Sequence, residues 1–138
     1  MKGILPSLNT PFTNSGELDL DSLTRLVQHT IMSGCGGMLG LAVAGEHDTL
    51  NFDEKIQFIG TVTKVNKRRI PFICSVTAAD VEESIELTKS ANSFDVDGIC
   101  LLYTSDAADD LLCVDLGGRR IIKILGDSFS NFFKKFSF

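Results

Sequence analysis

The chain contains no tryptophan, one tyrosine and only two histidines in 138 residues. Its apolar runs stop at four or five residues, as in Ile99–Tyr103, far short of the roughly 20 needed to cross a bilayer. The opening Met1-Lys2-Gly3-Ile4-Leu5-Pro6 breaks at a proline, too early for the apolar stretch of a signal peptide. No Cys-x-x-Cys pair occurs: Cys35, Cys74, Cys100 and Cys113 stand 39, 26 and 13 apart. Zinc-ribbon and dithiol redox chemistry are therefore excluded, and free thiols in a reducing cytoplasm are expected. The formal net charge is −5, and this mild acidity argues against nucleic acid as a partner, since phosphate binding calls for clustered Lys and Arg. His29 and His47 lack a second histidine or a cysteine at metal-ligand spacing, so both read as surface residues. Gly34-Cys35-Gly36-Gly37 lacks the spacing of a dinucleotide or phosphate loop and reads as a tight helix-to-strand turn. No metal, organic cofactor, nucleic acid or membrane partner is expected.

What is present divides near residue 100. Residues 1–99 hold 8 basic and 13 acidic residues, whereas residues 100–138 hold 5 of each. Five of the ten phenylalanines fall in the last ten positions, from Phe129 to Phe138.

The first part alternates strand and helix signals. Ile4–Asn9 is strand-like, although Pro6 suits only an edge or an irregular strand. Leu20, Leu23, Leu26, Val27, Thr30 and Ile31 follow helical spacing, with Asp19 or Asp21 as N-cap and Gly34 as stop. Gly37–Val43 is a buried-strand candidate. Asn51-Phe52-Asp53-Glu54 has the form of a capping box, ahead of a stripe of Phe52, Ile56, Ile59, Val62 and Val65. Phe72–Val76 is the third strand. Asp80–Glu83 offers a second capping box, followed by Val81, Ile85, Thr88 and Ala91, and Gly98–Leu102 opens a fourth strand. Near-continuous apolar strands alternating with helices predict parallel βαβ units. The pattern leaves open a doubly wound sheet or part of a (β/α)8 barrel, and places any ligand at the carboxyl ends of the strands.

Chemistry is therefore sought at Thr10-Pro11, Val43–Glu46 and Ser75–Thr77. Backbone amides around Ala44 and Gly45 are suited to a carboxylate or phosphate. A plainer reading makes Gly45 a strand terminator and Glu46 a solvated or capping carboxylate. Thr77–Asp80 fits a helix cap better than a ligand site.

Residues 2–102 resemble the start of the dihydrodipicolinate synthase / N-acetylneuraminate lyase family. The resemblance is carried by Leu5–Phe12, Gly16–Leu23, Gly36–Glu46, Thr49–Lys55 and Asp97-Gly98-Ile99, in that order. It implies the N-terminal half of a (β/α)8 TIM barrel, with three βα units and strand four. It also implies a class I aldolase-type lyase that binds pyruvate or another 2-oxo acid as a Schiff base on a lysine. Such chemistry uses a desolvated amine whose iminium is an electron sink, a proton-moving tyrosine and a Gly-Thr-Thr-Gly-Glu-type carboxylate loop. Val43 and Ala44 stand where that loop has hydroxyls. The resemblance thus assigns substrate contact to Val43, Ala44, Gly45 and Glu46 through the backbone, with Thr10 in support.

No residue here takes the catalytic roles. The family's tyrosine segment and strand-six lysine do not follow residue 102. Lys123 lies too close to strand four to be that lysine, and Tyr103 falls before the tyrosine position. Cys100–Asp109 and Val114–Ile122 instead resemble two consecutive blocks of a translated sequencing-library adapter, separated by an index-sized gap. Residues 1–99 are accordingly expected to be a partial barrel domain, and 100–138 a non-native tail whose Asp and Arg clusters carry no function. A half barrel leaves its first and fourth strands unpaired, so an inactive, self-associating chain is expected from a homo-oligomeric parent. The alternative is a small non-catalytic α/β domain that binds an anion or a partner at the Ala44–Glu46 turn.

Overall fold

The computed structural model describes residues 3–102 in full and residues 120–124 as backbone. Expectations about Tyr103, the acidic cluster from Asp106, Cys113, the Lys123 side chain and the Phe-rich end lie outside the described residues.

The chain folds as α1 (Leu20–Met32), β1 (Met38–Gly40), α2 (Phe52–Asn66), β2 (Phe72–Ser75), α3 (Val81–Ser93), β3 (Gly98–Leu102) and β4 (Arg120–Ile124). Each helix starts at a residue whose side chain accepts an otherwise unpaired amide. Asp19 takes the amide of Ser22, Asn51 that of Glu54 and Asp80 that of Glu83. At Asn51 the capping box is complete, because the Glu54 carboxylate accepts the Asn51 amide at 2.9 Å. At Asp80 only half of the expected box forms. Glu83 turns instead to Lys55 on α2, 2.7 Å away.

The sheet order is β1-β2-β3-β4. The β1–β2 and β2–β3 pairs are parallel, with Leu39 opposite Ile73 and Ser75 opposite Cys100. Strands that step in one direction through right-handed crossovers place every helix on the same face. Accordingly α1 packs on α2 and α2 on α3. This arrangement decides for the barrel over the doubly wound sheet, in which the order reverses and helices cover both faces. The core lies between the helices and that face, built from Leu8, Leu23, Val27, Met38, Phe58, Ile59, Val62, Phe72, Cys74, Leu87 and Ile99. Full burial of each large side chain contributes about 1.5–3 kcal/mol.

Three elements differ from expectation. The opening segment makes only an isolated parallel bridge, Ser7 to Leu39. Pro6 accepts the Leu39 amide at 2.9 Å but has no amide of its own to extend the ladder. β1 stops at Gly40 because Leu41, fully buried, turns to φ 53°. β3, the predicted fourth strand, is paired: β4 lies antiparallel to it, with Ile99 opposite Lys123. An open strand edge is a template of free amides and carbonyls, and the β-branched run Ile121-Ile122 suits it.

The α2 stripe is also turned slightly. Phe58, Ile59 and Val62 are fully buried together with Lys55 and Asn66, while Phe52, Ile56 and Val65 pack at the margin. Asn66 is tolerated there because its amide group donates to Ile70 O at 2.7 Å and accepts from Ile70 N at 3.3 Å, tying the helix end to β2.

Candidate functional site

The carboxyl ends of the parallel strands carry the loop that follows β1. Val43–Gly45 forms one 3-10 turn and His47–Thr49 a second, joined at Glu46 in the left-handed region, φ 56°. Two contacts fix the loop against the opening segment. Thr10, itself buried, donates its hydroxyl to Gly45 O. Gly45 packs so closely that a Cβ there would stand 2.6 Å from Leu8 O, which gives that glycine a steric reason.

Two of the amides expected to face a ligand are used within the loop. Gly45 N donates to Ala42 O at 2.8 Å and Glu46 N to Val43 O at 3.1 Å. The amides that begin the first 3-10 turn, those of Val43 and Ala44, make no hydrogen bond among the described residues. Both residues are exposed, Val43 to 59%. Thr10 and Val43–Glu46 are therefore brought together, with donor capacity at Val43 and Ala44 rather than at Gly45.

His47 is not the surface residue its neighbours suggested. It is 4% exposed, because the second 3-10 turn folds it inward. Its Nδ1 lies 3.0 Å from Asp48 Oδ1, close enough for electrostatic pairing but without hydrogen-bond alignment. His29, on the outer side of α1, is exposed as expected. Among the described residues no group of three His, Cys, Asp or Glu side chains converges to hold a metal.

Thr77 is engaged structurally: Leu102 N donates to its hydroxyl at 2.9 Å, joining the ends of β2 and β3. Cys74 and Cys100 are buried. Burial, with a smaller contribution from Cys100, pushes the Cys74 thiol well above its usual range, so Cys74 is a packing residue and not a nucleophile.

Sequence reasoning missed the Lys55–Glu83 pair, with side chains 7% and 27% exposed. A signal existed. Lys55 lies in the first turn of α2, where the helix dipole disfavours a cation; the carboxylate from the first turn of α3 compensates. Ser7 Oγ is likewise buried without a partner among the described residues.

Comparison with known proteins gives this geometry its family. The model of the Dihydrodipicolinate synthetase family matches residues 1–103. The chain belongs to that family. Over 102 residues it is 38% identical to 4-hydroxy-tetrahydrodipicolinate synthase of Pseudomonas aeruginosa, covering 74% of this chain and 35% of that protein. It is 30% identical over 102 residues to trans-O-hydroxybenzylidenepyruvate hydratase-aldolase of Pseudomonas putida, covering 71% and 31%. N-acetylneuraminate lyase from Mycoplasma synoviae superposes with a TM-score of 0.71 at 27% identity, covering 75% of this chain and 37% of that one. The dihydrodipicolinate synthetase family chain thus spans 31–35% of the length of these curated relatives. The family is one of lyases and aldolases, and the fold is the N-terminal half of its (β/α)8 barrel.

Proposed function

We propose that residues 1–99 are the carboxylate-holding portion of a Schiff-base lyase or aldolase acting on pyruvate or another 2-oxo acid. The supporting observation is the pair of free amides at Val43 and Ala44, at the carboxyl end of β1, on a loop pinned by Thr10. Two adjacent donors without internal partners suit a carboxylate, and the exposed Val43 and Ala44 side chains add no hydroxyl to the contact. Glu46 closes the turn in the left-handed conformation that joins the two 3-10 segments. The covalent chemistry belongs to a lysine and a tyrosine on polypeptide that follows Ile99 in the parent enzyme. The tail from residue 100, with its adapter-like blocks, is foreign to that enzyme, and the 138-residue chain is inactive.

The deciding experiment is to resequence the source DNA across the codons for Ile99–Tyr103 from a library made without the adapter. The frame is expected to continue into a tyrosine-bearing segment and, later, a strand-ending lysine. Treating that longer protein with pyruvate and borohydride should then add a reduced pyruvyl mass on the lysine. Thr10→Val in it should raise KM more than it lowers kcat. Recovery of the Cys100–Lys123 codons unchanged would overturn the proposal and favour a non-catalytic α/β domain that binds an anion at the Val43–Glu46 loop.

A further inference from the structure

The hydroxyl of Thr77 keeps a proton that the fold does not use. Thr77 is not the cap of α3, a role that Asp80 fills by accepting the Glu83 amide. Its Oγ1 instead accepts twice, from Leu102 N at 2.9 Å and from the Ser75 hydroxyl at 3.3 Å. Ser75, 2% exposed, is held in place because its own oxygen accepts Thr77 N at 3.5 Å. A threonine hydroxyl has two lone pairs and one proton. With both lone pairs engaged, the proton points elsewhere, and it meets no acceptor among the described residues. The contact from Leu102 is a backbone amide, which any residue but proline supplies at that position of the strand. It therefore does not depend on which side chains follow Ile99.

The sheet places this donor beside the loop. Phe72, Cys74 and Val76 belong to the core against the helices, so Ser75 and Thr77, alternating with them, stand on the face that lines the barrel. Gly40 lies opposite Cys74. Val43 and Thr77 each follow three residues later, at the carboxyl ends of neighbouring strands that run about 4.8 Å apart. Thr77 is half-buried, neither sealed in the core nor free in solvent. We propose that Thr77 is a specificity-determining donor: its hydroxyl donates to the 2-oxo oxygen of a substrate whose carboxylate the Val43 and Ala44 amides hold. This role rests on the carboxylate reading above and deepens it. Donors at two adjacent strand ends suit acceptors on two adjacent carbons, which a 2-oxo acid has and a simple carboxylic acid lacks. Val43 and Ala44 bring no hydroxyl, so the neighbouring strand supplies one. Ser75 is a positioning residue, since its proton occupies a Thr77 lone pair and thereby sets where the Thr77 proton points.

The test is ligand-observed saturation-transfer NMR on the full chain, with pyruvate and, separately, propionate, which has the same carbon count but no oxo group. The chain is expected to bind pyruvate about three- to tenfold more tightly, the range for one hydrogen bond to an uncharged acceptor. Thr77→Val should erase that preference while leaving the propionate Kd unchanged, and Thr77→Ser should keep it. Thr77→Cys, whose thiol is a weak donor, serves if circular dichroism shows that the valine variant does not fold. Equal weakening of both acids by Thr77→Val would make the hydroxyl merely structural and overturn the proposal. A preference that survives Thr77→Val overturns it too. Binding of both acids without preference overturns the role of Thr77 and leaves the carboxylate reading standing. If neither acid binds, the carboxylate reading fails and this role fails with it.

Discussion

Single residues set the loop. Gly45→Ala places a methyl where Leu8 O would be 2.6 Å away. Overpacking against rigid backbone is expected to cost about 1–3 kcal/mol, read as a lower midpoint in urea unfolding. An unchanged midpoint would mean that the loop moves aside freely and that Thr10 does not hold it. Asp19 gives a pH prediction. Hydrogen bonds from the Ser22 hydroxyl and then the Ser22 amide hold its carboxyl below the ordinary aspartate range. A carboxylate lowered on folding stabilises fully above its unfolded pKa, and that stability disappears as pH falls through the lower folded value. The Asp19 carbon resonance should therefore titrate with a midpoint below that of an ordinary aspartate, and Ser22→Ala should move that midpoint upward.

Elements are held by their ends. Asn51→Ala removes the acceptor for Glu54 N and half of the only complete capping box among the described helices. A loss of about 1 kcal/mol is expected, measured by urea unfolding; Asn51→Ser should recover most of it. The Lys55–Glu83 pair staples the first turn of α2 to that of α3. Lys55→Met alone strands a half-buried carboxylate and should cost about 1.5–3 kcal/mol. Adding Glu83→Gln should return part of that loss, because a neutral pair of similar volume removes the uncompensated charge. A double-mutant cycle with no coupling would show that the two side chains act independently.

At the scale of the whole molecule, the described residues form a one-sided layer. Its helices cover one face of the sheet, and a barrel completes the other by closure. We expect the chain to associate as concentration rises, with sedimentation velocity showing species larger than one chain. A single concentration-independent monomer would show that β4 and the opposite face satisfy the sheet unaided.

Much of this was legible in the residues. The three helices, their N-caps and the parallel strands follow from 3.6-residue periodicity, from Asp or Asn ahead of each apolar run, and from short apolar blocks. These are local signals carried by neighbouring side chains. The family resemblance placed Thr10 and Val43–Glu46 in one site before any contact between them could be seen. Only the folded structure decided which amides of that loop stay free: Thr10 pins the loop from 35 positions away, and its 3-10 turn directs Gly45 N to Ala42 O and Glu46 N to Val43 O. It also buried His47, paired Lys55 with Glu83 across 28 positions, and set β4 on the edge of β3. Each of these depends on contacts between elements remote in sequence, and periodicity reports only which face of an element is apolar, never what that face meets.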